Sequence, residues 1–220
     1  MTITLIIIII TVLVSISAFS SERIMNDLIF YPPAVTQNRQ WYRFFTCGFI
    51  HADYGHLVFN MYALYLFGQG TQSFPGVETK FGEMFGANGK FLYLLMYLTA
   101  LLVCLLPTYS KNRNNASYRS LGASGAVSAV IFAAIIINPL QGLMFLFIPY
   151  PIPGFIFGFI YLVVSSFLDR RGGGNINHSA HIWGALYGIA FIIAAGYLAG
   201  FPILDSFVQQ IQLWYGRNFK

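Results

Sequence analysis

Charge is what this chain has least of. Only 9% of its 220 residues are charged and 57% are hydrophobic, against roughly 25% charged in soluble domains. That excludes an ordinary soluble domain and points to a polytopic membrane protein. The net charge is +5, but no basic cluster interleaved with aromatics is present, which excludes a nucleic-acid surface and leaves the cations as loop charge near lipid headgroups. Cysteine is scarce too. Cys47 and Cys104 make neither a disulfide framework nor a zinc pattern, and no metal or cofactor is expected. There are no internal repeats, which counts against a transporter of inverted halves. The seven acids are Glu22, Asp27, Asp53, Glu78, Glu83, Asp169 and Asp205, and none falls inside an apolar run.

Apolar runs are what the chain does have. A spanning helix needs about 20 mostly apolar residues. Six runs qualify as candidates: 2–19, 55–68, 91–106 (ended by Pro107), 121–137 (ended by Asn138-Pro139), 152–168 and 178–198. Run 2–19 lacks the basic start of a signal peptide and is taken as the first span. Segment 20–53 is too apolar for a solvated linker and suits the membrane interface. Segment 69–90 reads as a Gly-rich polar loop, and 170–177 as flexible by composition. In 202–215, Ile203, Leu204, Phe207, Val208, Ile211 and Trp214 recur at helical spacing among polar residues, predicting an interfacial amphipathic helix. The expected fold is an all-α membrane protein, a six-helix bundle over 1–200 with an amphipathic tail over 201–220.

Polar residues inside spans are costly and are functional candidates by default. They are His56 and Asn60 in the second run, Ser124 in the fourth, and His178 and His181 in the sixth. Helices two, four and six cross in the same direction, and all these residues lie near their starts, so they share one membrane face and one depth. Ser124 sits in Gly122-Ala123-Ser124-Gly125, where small neighbours leave its hydroxyl accessible and a helix start offers free N–H groups. A serine among small residues also serves plain helix packing. His181 is the expected general base. Gly184 and Gly188 follow it at a spacing of four, a stripe that lets this helix press on a neighbour. His178, one turn earlier, is the alternative base. With no acid in any span, a Ser–His dyad is expected rather than a triad. His56 and Asn60, four apart on one helical face, are expected to form an oxyanion hole with Ser124. A zinc site is the competing reading, weakened because asparagine is a poor zinc ligand. His51 is expected to make structural hydrogen bonds in its loop.

These residues resemble the rhomboid family of intramembrane proteases. The matching pieces are Gly122-Ala123-Ser124-Gly125, the stretch from His56 to Asn60, and the stretch from Ala180 to Gly188 that holds His181. Their order and their placement on spans two, four and six match as well. The resemblance implies a serine endopeptidase that cleaves transmembrane segments of membrane-protein substrates, in a bacterial plasma membrane, with its site open to the extracytoplasmic side. It also implies a semi-submerged first loop, and a mobile gate and cap formed by the fifth helix and 170–177. An inactive rhomboid-like binder of transmembrane helices is the alternative. Two departures stand out. Tyr42 separates Trp41 from Arg43, where the family commonly has Trp-Arg. Ser128 also occupies the position, four after the nucleophile, where some members place a tyrosine that stacks on the catalytic histidine. Orientation carries a conflict: the family topology puts eight of the twelve Lys and Arg residues outside, against the positive-inside rule.

Overall fold

The computed structural model describes residues 1–72, 74–145, 148–172 and 176–219. The first apolar run forms α1, Ile3–Phe19, and α2 (Glu22–Leu28) follows after the Ser21 cap. Pro32 and Pro33 start α3, Pro32–Asn38, where a missing N–H costs nothing. A short α4, Arg43–Thr46, leads through a tight turn to Ile50. The first loop is thus folded rather than extended. Phe30, Val35, Phe44 and Ile50 are fully buried, and buried Arg43 ties the loop together by donating to the carbonyls of Asn26 and Ile29 at 2.8 and 2.7 Å and to Gln40 Oε1 at 2.6 Å.

Asp53 caps α5, Tyr54–Leu64, which continues into a π-helical turn over Tyr65–Gln69. Next come α6 (Val77–Phe85), α7 (Gly89–Val103) and α8 (Leu106–Asn112). α9 spans Ser124–Ile137 and is the centre of the bundle: of its residues only Ser124, Ile131 and Ile137 are not buried. Asn138 leaves the helical region, as a residue before proline tends to do. A hairpin of β1 (Gly142–Phe145) and β2 (Ile148–Pro153) follows. It is antiparallel, pairing Gly142 with Pro153 and Leu143 with Ile152. α10 (Gly154–Arg171), α11 (His178–Leu198) and α12 (Ile203–Asn218) complete the chain.

The fold is mostly helical, with four differences from expectation. The hairpin makes it not strictly all-α, and it takes Ile152 from the expected fifth helix, which begins at Gly154. The supposed polar loop 69–90 contains α6, whose Val77 and Phe81 are buried; its glycines masked the helical spacing. Pro107 lies in the first turn of α8 instead of ending a run. Among the described residues, two helical stretches are long and apolar enough to cross a membrane by length and composition, Val77–Asn112 and His178–Leu198, while Ile3–Phe19 and Ser124–Ile137 are apolar but shorter. The expected cap at 170–177 falls in part on 173–175, which lie outside the described residues. The tail is helical as its periodicity requires, three residues longer than expected at its C-terminal end.

α9 and α11 lie closest together. A Cβ on Gly184 would stand 2.0 Å from the Gly125 carbonyl oxygen, and one on Gly188 would stand 2.2 Å from that of Ala129. The glycine stripe therefore faces α9, and the two backbones touch along it.

Candidate active site

Ser124 is the first residue of α9. The turn before it is fixed from both sides. Gly122 has φ +110°, and a Cβ there would meet the His56 ring at 2.7 Å, so glycine is required by conformation and by space. The Gly122 N–H donates to the Cys47 carbonyl at 2.9 Å, and the Ala123 N–H to His51 Nε2 at 3.4 Å. The serine hydroxyl thus stands at a helix N-terminus whose first-turn amides have no intrahelical acceptor. On α11, Asn177 caps the helix by accepting from the Ala180 N–H at 3.1 Å, and its side chain also meets Thr108 and Ser120 at 3.2 and 3.3 Å. One turn on, His181 Nε2 lies 2.7 Å from Ser124 Oγ. The serine pairs with His181 and not with His178, whose ring centroid is 5.8 Å from that of His181. Among the described residues no carboxylate hydrogen-bonds to His181, and none form a metal-binding group of His, Cys, Asp and Glu.

His56, Asn60, Ser124 and His181 line one cavity of about 720 Å³, together with apolar residues that include Phe59 and Ile131. The His56 N–H is capped by Asp53 Oδ1 at 2.7 Å, and His56 Nδ1 accepts from the Ala52 N–H at 3.5 Å. That leaves Nε2 as the protonated nitrogen. Asn60 Nδ2 donates to the His56 carbonyl at 2.9 Å, keeping a second hydrogen for another acceptor. His51 is fully buried behind this wall. Its Nε2 accepts from Ala123, so Nδ1 carries the proton and donates to Ser15 Oγ at 3.0 Å; Ser15 in turn donates to the Phe49 carbonyl. Burial pushes the His51 imidazole down to about 3, with the neighbouring His56 adding to the shift and Asp53 opposing it. His51 is therefore neutral and ties α1 and the first loop to the start of α9.

A family model for the rhomboid domain matches residues 38–198. The chain belongs to the rhomboid family. It is also 32% identical over 150 residues to the Arabidopsis thaliana protein named RHOMBOID-like protein 12, mitochondrial; the alignment covers 64% of this chain and 42% of that protein. The chain therefore spans less than half the length of the curated relative it matches. The matched rhomboid domain runs from the first loop through α11 and contains every residue named at the cavity, and the chain is an integral membrane protein. The relative's name is mitochondrial, so the expectation of a bacterial plasma membrane gains nothing from it.

Two residues at this rhomboid site were not anticipated. Asn177 falls in the segment whose composition is that of a flexible loop, although an Asn directly before an apolar helical run is an N-cap signal. Tyr161 on α10 was missed altogether. Its ring stacks on that of His181 with centroids 6.3 Å apart and planes 25° from parallel, and its hydroxyl lies 3.0 Å from Ser128 Oγ. No sequence signal marked it, because the contact joins two helices through packing alone. Of the departures noted above, Tyr42 lies beneath the Arg43 guanidinium at 5.5 Å, and Trp41 stacks on Phe44 with planes 8° apart.

Proposed function

We propose that this rhomboid protein is an intramembrane serine endopeptidase that cleaves transmembrane segments of membrane-protein substrates by a Ser124–His181 dyad. The observation that carries the reading is the 2.7 Å contact between Ser124 Oγ and His181 Nε2 at a helix start beside a cavity. His181 takes the serine proton as Oγ attacks the scissile carbonyl. The resulting oxyanion accepts from the Ser124 amide, His56 Nε2–H and the free Asn60 N–H, donors that are in place before charge develops. His181 then returns the proton to the leaving amine, and the acyl-enzyme forms. A water activated by the same imidazole attacks the ester, and the serine is regenerated.

The reading includes six membrane-embedded helices, α1, α5, α7, α9, α10 and α11, in a lipid bilayer, with the site at the extracytoplasmic end. Exposed apolar side chains on the outer faces support it, among them Val58, Phe59 and Tyr62 on α5 and Phe159, Val163 and Phe167 on α10. Such a surface would not stay in water. An inactive binder of transmembrane helices would have no use for the Ser–His contact. The test is cleavage of a reporter transmembrane substrate by purified protein in detergent. Wild type is expected to cleave, and Ser124→Ala and His181→Ala are expected to be inactive. Cleavage by His181→Ala with loss in His178→Ala would give the base role to His178, and cleavage surviving in Ser124→Ala would refute the reading.

A further inference from the structure

A lone imidazole hydrogen-bonded only through Nε2 can rotate about its χ angles and lose the serine. In most Ser–His sites a third group prevents this by holding the other nitrogen. Here no carboxylate among the described residues does so. Position 128, one turn after the serine on the same helix, is a serine whose hydroxyl is occupied elsewhere. The His181 ring nonetheless has Tyr161 beside it, in a near-parallel arrangement with centroids 6.3 Å apart.

Tyr161 is itself held at three points. Its hydroxyl meets Ser128 Oγ at 3.0 Å, its ring lies 5.6 Å from that of Phe132 at 56°, and Phe157 stacks behind it at 6.4 Å. Ser128 and Phe132 are both on α9, the helix that carries Ser124. The tyrosine thus bridges nucleophile helix and base from a third element, α10. That element is lightly seated: its buried residues are the small ones, Gly154, Gly158 and Ser165, and Gly158 lets it lie against Ile135 and Phe132.

We propose that Tyr161 is a positioning residue for His181, with Ser128 as the anchor of its hydroxyl, so that the seating of α10 on α9 sets the orientation of the base. The proposal rests on the Ser124–His181 reading and deepens it.

The experiment compares wild type with Tyr161→Phe, Tyr161→Leu, Tyr161→Met and Ser128→Ala on a reporter transmembrane substrate, and measures their rates of reaction with a small fluorophosphonate. Thermal unfolding in detergent checks that each is folded, and the methionine variant fills similar volume should leucine not fold. Loss of the stacked ring is expected to lower kcat roughly tenfold with KM within about twofold, and to slow fluorophosphonate labelling in parallel. Tyr161→Phe keeps the ring and is expected to stay within roughly threefold of wild type, as is Ser128→Ala. Unchanged kcat and labelling in folded Tyr161→Leu or Tyr161→Met would overturn the proposal, as would a change in KM alone, which marks a cavity wall. Faster labelling would overturn it as well, because it marks α10 as a simple barrier. In each of those cases wild-type cleavage, abolished by Ser124→Ala, leaves the protease reading standing. Absence of wild-type cleavage and labelling would sink both.

Discussion

Gly184→Ala should disable this protein through one added methyl group. The new Cβ would sit 2.0 Å from the Gly125 carbonyl oxygen, whereas ordinary contact begins at 3.4 Å. The obstacle is backbone, so no side chain can turn aside. α11 must withdraw from α9 by roughly 1 Å or more, because repulsion rises steeply inside contact distance. His181 lies one turn before Gly184 on the same helix and would move with it. Its 2.7 Å contact with Ser124 would then stretch beyond hydrogen-bond range. A misplacement of about 1 Å at reacting groups can cost ~10² in rate, and overpacking of this kind destabilises by roughly 1–3 kcal/mol. The assay is kcat on a reporter transmembrane substrate beside a thermal melt in detergent. Gly216→Ala is the control: it lies in α12 with open space around it, and should leave both readings unchanged or raise stability slightly. Wild-type kcat and melting in Gly184→Ala would refute the claim that the close approach of α9 and α11 aligns the pair.

Further outcomes follow from the same geometry. His56→Ala and Asn60→Ala should each lower kcat by ~10²–10³ with little change in KM, as expected for donors that act on a developing oxyanion; steady-state kinetics checks the split. Glu78 accepts from the amides of Ile3 and Thr4 at 2.8 and 2.9 Å and from the Thr4 hydroxyl at 2.8 Å, and it is buried. Glu78→Ala should therefore destabilise the fold by about 1–3 kcal/mol, with Glu78→Gln milder, read by thermal unfolding. His51 is held neutral, with its affinity for protons depressed to about 3 against about 6.5 in the unfolded chain. Between those values the unfolded state binds the extra proton, so stability rises with pH and is lost as pH falls below about 6.5, by at most ~1.4 kcal/mol per pH unit. The difference in melting between wild type and His51→Gln should narrow across pH 6.5 to 4.5, and a pH-independent difference would contradict this account of His51.

Much of the site's placement was legible because membrane helices impose strong rules. Parity over the six expected spans puts His56, Asn60, Ser124 and His181 at one end, and in the fold all four line the same cavity. The Gly184 and Gly188 spacing pointed to a contact face, and the carbonyls of Gly125 and Ala129 lie against it. What escaped was of two kinds. α6 and the hairpin sit in segments whose Gly and Pro content reads as irregular, and their structure depends on packing of a few residues such as Val77 and Phe81. Tyr161 escaped because it is one of 14 tyrosines in a chain where aromatics on a span ordinarily face lipid. Only the neighbouring positions of α9, α10 and α11 distinguish it. His51 was expected to bond within its loop, but its partners are Ser15 on α1 and the Ala123 amide, and neither distance is visible along the sequence.

The central claim is that Ser124 is a nucleophile activated by His181. The most direct measurement is mass-spectrometric mapping of a fluorophosphonate adduct on the detergent-purified protein. The account predicts one adduct, on Ser124, absent from Ser124→Ala and slowed by orders of magnitude in His181→Ala. A folded wild-type protein left unlabelled at Ser124, or labelled equally fast without His181, would contradict it.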